Sequence, residues 1–251
     1  WQIKHRKFFV ISFCKFVCSA KDKFEKNIKK IIKKNRFNFI QNNNKMELGF
    51  LTGDIVIKGS EKNWDEVDAD LDLFDFPVHF AVGNHDMKGR ELYESRYGRT
   101  YFSFKHRSDL FIILDPNLNA WNISDEQLSF LKTILIENTS SVDHVFVFFH
   151  QVLWWSPDNR YRKIVVNSTE GRAERINFWS EVEPLFSGLE IPVTMFAGDV
   201  GAFNTGSEYT EHRDGNITYI ASGMGSGVND NFVIVNIHKD NSVNVQRINL
   251  N

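Results

Sequence analysis

Six residues of this chain could do metal or acid–base chemistry, and all of them follow short apolar runs. Asp54 closes Leu51-Thr-Gly-Asp. Asn84, His85 and Asp86 follow Val82-Gly83, His150 follows Val145-Phe-Val-Phe-Phe149, and Asp199 follows Val193 to Gly198. Carboxylate, amide oxygen and imidazole together suit Mn, Fe, Zn or Mg rather than a thiophilic ion. A cation held by such groups acts as a Lewis acid on a phosphoryl oxygen and acidifies bound water. Singly, each residue has a plainer reading: Gly-Asp is a common turn and Asp199 a plausible turn former, and a lone strand-end histidine is most often a satisfied polar cap. Gly83-Asn-His-Asp86 is harder to produce by chance, because it lies directly after an apolar run and about 30 residues beyond a Gly-Asp.

Apolar runs of four to eight residues read as buried strands, and residues at strand carboxyl ends in α/β proteins share one rim. The expected strands are Phe8–Phe13, Leu48–Thr52, Val78–Val82, a hairpin of Tyr101–Phe104 and Leu110–Leu114, then Val145–Phe149, Val193–Ala197, Ile217–Ala221, Phe232–Ile237 and Val243–Ile248. Helical spacing marks Lys21–Phe37, the segment carrying Trp64, Val67, Leu71 and Phe74, and Arg175–Phe186. Ser124-Asp-Glu-Gln127 has the form of a capping box and opens a helix with Leu128, Leu131 and Leu135 on its apolar face. Asn38–Lys45 and Gly201–Asp214 read as loops. The aromatic stretch Gln151–Tyr161 is open to two readings, a substrate wall or a loop packed on the core. Gly223-Met-Gly-Ser-Gly227 could let backbone approach a phosphate, though no P-loop lysine follows it.

The 251 residues are 42% apolar and 25% charged, which excludes wholesale disorder, and 35 aromatics, 23 of them Phe, can fill a large core. Cys14 and Cys18 cannot build a disulfide framework or a four-thiolate zinc site. No apolar run reaches the roughly 18 residues of a membrane span. Residues 1–45 carry 13 Lys/Arg against two acids; a lysine-rich solvated helix face is the plain reading, and contact with nucleic acid or an anionic surface the sharper one. His5–Ala20 has the outline of a signal peptide interrupted by Lys15, with the first strand as the competing reading. No linker or internal repeat stands out, so residues 1–251 are read as one domain. The compartment stays open.

The motifs Leu51-Thr-Gly-Asp-Ile55, Val82-Gly-Asn-His-Asp86 and Val145-Phe-Val-Phe-Phe-His150 resemble those of the calcineurin-like metallophosphoesterase family, with weaker support from Phe111-Ile-Ile-Leu-Asp115 and Asp125-Glu-Gln-Leu128. The resemblance covers roughly residues 8–249. It implies an α/β fold in four layers, a β-sandwich of two mixed sheets flanked by helices (α/β/β/α), and hydrolysis of a phosphoester substrate by a phosphatase or phosphodiesterase. It also implies metal ligation by Asp54, Asn84 and His150, a leaving-group or transition-state role for His85, and an Asp86 that orients the His85 ring. Two motifs depart from the family. Phe13 and Lys15 stand where an Asp-x-His is expected, and Gly198-Asp199-Val200-Gly201 stands where Gly-His-x-His is expected. Asp199 can still offer an oxygen, whereas Phe13, Lys15 and Gly201 cannot ligate. The expectation is therefore one divalent metal position rather than two, on Asp54, Asn84, His150 and Asp199. The alternative is a catalytically impaired binding protein on the same fold.

Overall fold

The computed structural model describes residues 6–11, 46–72, 74–203, 205–225 and 228–249. Phe13, Lys15, both cysteines, the expected Lys21–Phe37 helix and the expected Asn38–Lys45 loop lie outside them, as does the basic segment 1–45 apart from Arg6–Ile11.

Eleven strands of the described residues form two mixed sheets. The first has the order β11 (Val243–Asn249), β10 (Asn231–Ile237), β1 (Arg6–Ile11), β2 (Leu48–Leu51), β3 (Val78–Phe80). The second runs β4 (Phe102–His106), β5 (Asp109–Ile113), β6 (His144–Phe148), β7 (Val193–Ala197), β9 (Ile217–Ser222), β8 (Tyr209–Asp214). Strands β1, β2 and β3 are parallel, as are β5, β6, β7 and β9. Four of these strands, β2, β3, β6 and β7, lead directly into the candidate residues.

Both faces of each sheet are covered, which is why the central strands read as continuous apolar runs rather than alternating ones. On β1, Phe8 and Val10 face the second sheet while Phe9 and Ile11 face outward. The layer between the sheets is largely phenylalanine: Phe50 stacks on Phe148 with centroids 3.9 Å apart, and Phe8 meets Phe146 edge-on at 4.9 Å. Such ring pairs contribute about 0.5–1.5 kcal/mol each beyond their burial. Outside the first sheet, α1 (Glu61–Leu71) buries Trp64 and Val67 and α2 (Arg90–Tyr97) buries Tyr93. Outside the second, α3 (Asp125–Asn138) and α4 (Glu183–Ser187) bury Leu131, Leu135 and Phe186. Two mixed sheets between helical layers are the architecture the motifs implied.

Several local expectations need correction. Helix α1 ends at Leu71 with Asp72 as its C-cap, so Phe74 packs on Phe9 from outside the helix. The Ser124 capping box does not form. Ser124 donates to the Asp125 carboxylate, and Gln127 instead accepts from the Asp115 amide at 2.7 Å and donates to the Asp115 carbonyl at 3.1 Å. The expected Arg175–Phe186 helix starts only at Phe178, and its first turn, Phe178–Val182, closes five-residue steps before Pro184 enters the first turn of α4; proline has no N–H to continue a four-residue ladder. The last six residues of the expected loop Gly201–Asp214 form β8, an edge strand that is exposed and polar from Glu211 onward and so carries little apolar signal. Helix α2, mostly polar, had no expectation at all. Within Gln151–Tyr161, Trp154 and Tyr161 are buried in the core, which decides for the packing reading there. In the glycine run, a Cβ at Gly223 would collide with the Val200 carbonyl and one at Gly225 with that of Gly201, so these glycines serve loop-on-loop packing.

Candidate active site at the strand ends

Asp54 sits in a turn bought with backbone strain. Gly53 has φ +87° and Asp54 φ +51°, and the left-handed region is uncommon for a residue with a side chain. The turn is anchored where Thr52 donates its amide to the Ile11 carbonyl at 2.8 Å. It aims one Asp54 oxygen at the His85 amide, 3.1 Å away. Glycine is required at two neighbours: a Cβ at Gly53 would enter the His150 ring, and one at Gly83 would strike Asp54. The Gly-Asp and Gly-Asn-His motifs are thus two halves of one close packing.

Asp86 is fully buried. Its oxygens accept from the Val56 amide at 2.9 Å and the Gly83 amide at 2.8 Å, tying both loops together. This corrects the expectation that Asp86 orients the His85 ring: His85 Nδ1 instead lies 3.2 Å from the Ile57 carbonyl, which it reaches as a donor. Burial, with repulsion from Asp54, pushes the Asp86 carboxyl up to about 7.

His150 is fully buried. Its Nδ1 donates to the Thr52 carbonyl at 2.8 Å. Its Nε2 makes no hydrogen bond and points between two carboxylates, 3.5 Å from Asp54 Oδ1 and 3.7 Å from Asp199 Oδ1. Burial opposes charge on this ring, but the attraction of Asp54 and Asp199 outweighs it and raises His150 to about 10. Burial likewise lifts Asp199 to about 7, with Asp54 adding repulsion and His150 attraction. For Asp54 the burial penalty is overcome by His150, and its pKa falls.

Asp199 is held by its neighbours: its amide donates to the His150 carbonyl at 3.0 Å and its own carbonyl accepts from Asn167 at 2.9 Å. The Asn167 side chain then accepts from Ala202 at 2.7 Å. Gly201 has φ +89°, and a Cβ there would lie 3.1–3.2 Å from the Gly223 backbone. A histidine at 201 would be both strained and crowded. Asn84 is half-buried and lines a cavity with Lys88, Asn117 and Trp121.

The structure therefore brings Asp54, His150 and Asp199 into one cluster, with Asn84, His85 and Asp86 on the adjoining loop. Among the described residues, no three His, Cys, Asp or Glu side chains stand as a ready metal-binding group. Sequence reasoning missed Asn117 and Asn167, whose side-chain amides sit in polar loops and leave no motif, and it gave no role to Thr52, whose carbonyl holds His150.

The calcineurin-like phosphoesterase family model matches residues 19–223, most of the chain. The chain belongs to the calcineurin-like phosphoesterase family. The match takes in every candidate residue of this phosphoesterase-family chain and leaves β1, β10 and β11 outside it. Among solved structures, a purple acid phosphatase from seeds of yellow lupin (Lupinus luteus) superposes with a TM-score of 0.65 at 13% identity, over 98% of this chain and 52% of that one. At that identity the likeness speaks to the fold, and the chain spans about half the length of the lupin protein. No curated protein matches it.

Proposed function

We propose that the chain is a metal-dependent phosphoester hydrolase that works with one divalent cation, held by Asp54, Asn84, His150 and Asp199. One observation carries this reading. A buried imidazole has its Nδ1 committed to the Thr52 carbonyl and its Nε2 turned, without a hydrogen bond, between two buried carboxylates. A backbone acceptor on one ring nitrogen is the arrangement that fixes the other as a ligand. The oxygen and nitrogen donors fit Mn, Fe, Zn or Mg. A cation bound there supplies Lewis acidity toward a phosphoryl oxygen and lowers the pKa of water. His85, set by the Ile57 carbonyl at the mouth of the site, protonates the leaving oxygen, and Asp86 keeps the two loops in register.

A second reading, a binding protein of impaired catalysis on this fold, is favoured by Gly201, which has no side chain to ligate a metal and where an added Cβ would lie 3.1–3.2 Å from the Gly223 backbone. The two readings separate in one experiment. Hydrolysis of an aryl phosphomonoester and an aryl phosphodiester is measured with added manganese, alongside manganese binding by calorimetry, for wild type and His150→Ala. The hydrolase reading expects turnover and binding in the wild type and loss of both in the variant. Equal rates in the two proteins with both esters sink it and favour the binding protein.

A further inference from the structure

Asn167 lies in the segment between β6 and β7, outside every motif that named the site, and is buried beside Asp199. We infer that Asn167 is a positioning residue of the candidate metal site: it holds the Asp199 carboxylate off His150, so that both can ligate one cation. The inference rests on the hydrolase reading above for the cation, and on the loop geometry for the residue.

The segment is braced across the turn that carries Asp199. Val166 pairs with Val200 in an antiparallel bridge, and the Asn167 amide donates to the Asp199 carbonyl at 2.9 Å. Asn167 Oδ1 accepts from the Ala202 amide at 2.7 Å, and the Val165 amide donates to Ser207 Oγ at 2.9 Å. One residue thus grips the turn at both ends. The Ala202 amide can only donate, so the carboxamide oxygen must face it and the orientation of the group is fixed. Nδ2 is left over. It is buried and makes no hydrogen bond of good geometry, yet it lies near enough to Asp199 to draw that carboxyl down against the effect of burial, as the Ser168 amide also does. A buried donor left in this condition calls for a reason.

Asp199 needs such a restraint. Its Oδ1 lies 3.7 Å from His150 Nε2, which also faces Asp54 at 3.5 Å. Opposite charges in a buried site attract strongly, and a carboxylate free to turn would settle on the imidazole in a direct hydrogen bond. That contact would occupy both the ring nitrogen and the oxygen that a cation requires. The donors at Asn167 and Ser168 compete with His150 for the same carboxylate. The Ser168 donor is main-chain and is itself pinned, its Oγ accepting from the Glu170 amide at 3.0 Å. Asn167 supplies the part that a substitution can remove. Groups that orient the ligands of a metal typically contribute about 10–100-fold to its affinity.

Manganese binding is measured by calorimetry on the full chain for wild type, Asn167→Ala, Asp199→Asn and the double variant, with urea midpoints in chelator to establish that each folds. Asn167→Ala should weaken binding about tenfold or more, and Asp199→Asn about 100-fold. The double variant should lie within about twofold of Asp199→Asn alone, because the asparagine acts through the carboxylate. A residue that merely shapes the loop would cost the same factor in both backgrounds. Losses that multiply, or no loss in Asn167→Ala, therefore overturn the inference. Should the alanine variant not fold, Asn167→Ser, whose shorter side chain cannot reach both Ala202 and Asp199, takes its place in the cycle with the same expectations. Hydrolysis of an aryl phosphomonoester by the same proteins separates the two readings. Coupled losses of binding without turnover in the wild type sustain the positioning role and overturn the hydrolase. Turnover with uncoupled losses does the reverse, and a wild type that binds no manganese overturns both.

Discussion

One strand, β6, has a buried histidine at each end of its run, and the two are finished differently. At the start, His144 Nδ1 lies 2.8 Å from Asp109 and Nε2 2.8 Å from the Asn241 carbonyl, so both ring nitrogens are engaged. The second Asp109 oxygen pairs with Arg6 at 2.5 Å, and Arg6 also donates to Ser108 at 2.6 Å. This knot joins β1, β5, β6 and the β10–β11 turn. Just past the other end, His150 has one engaged nitrogen and one that lies 3.5–3.7 Å from two carboxylates, with the buried Asp86 close behind. Two carboxyl groups there face one imidazole, while Asp86 turns its oxygens to the Val56 and Gly83 amides. The same residue type on the same strand thus serves cohesion where its partners are complete, and offers chemistry where they are not.

The largest expected effect breaks the complete end. Asp109→Ala strands Arg6 and His144 in the interior and should cost about 3–5 kcal/mol, read as a fall in the urea midpoint. A loss under 1 kcal/mol would mean that the knot is ornamental. The incomplete end should behave in the opposite way. Asp199→Asn removes a carboxyl that burial disfavours, so the metal-free protein should keep its urea midpoint or gain slightly. Manganese affinity should nevertheless fall on the order of 100-fold, the upper end of what groups supporting a metal site contribute. Unchanged affinity in calorimetry would remove Asp199 from the ligand set.

The pH dependence sharpens the contrast further. Asp86, Asp199 and His150 all have folded pKa values above their ordinary ones, at about 7, about 7 and about 10. A raised folded value means the folded form holds more protons, so the stability it confers is full below the ordinary pKa and is lost as pH rises through the folded one. The carboxyls lose theirs between about 4 and 7, and His150 between about 6.5 and 10. Thermal melts in chelator should therefore fall from pH 5.5 to 8.5, and Asp199→Asn should flatten the slope; melts that rise over that window would contradict the assignment. The smallest effect returns to the knot: Ser108→Ala should cost about 1 kcal/mol, one ordinary hydrogen bond, and leave the manganese response untouched.

Much of this was legible in the residues because both sheets are buried on two faces. Continuous runs such as Val145–Phe149 and Val193–Ala197 name their strands to within a residue, and the groups that follow them name the site. Elements at the surface were silent for the same reason. Strand β8 and helix α2 bury too little to need an apolar pattern, and the turn before α4 answers to Pro184 rather than to periodicity. Asp86 was misjudged because a carboxylate beside a histidine in sequence invites pairing, while the backbone of Val56 and Gly83 had greater need of it. Gly53 and Gly83, by contrast, announced a close approach that only the folded chain identifies, one against His150 and the other against Asp54.

Asp54 comes from one sheet and His150 from the other, and the layer of rings between the sheets sets their separation. Phe50 and Phe148, the pair in face-to-face contact, precede Asp54 by four residues and His150 by two. The stack is a caliper. Its width is the 3.9 Å between the two ring centroids, which a smaller side chain at either position would leave unfilled. A chain rich in phenylalanine at this layer has machined the gap across which its two half-sites meet.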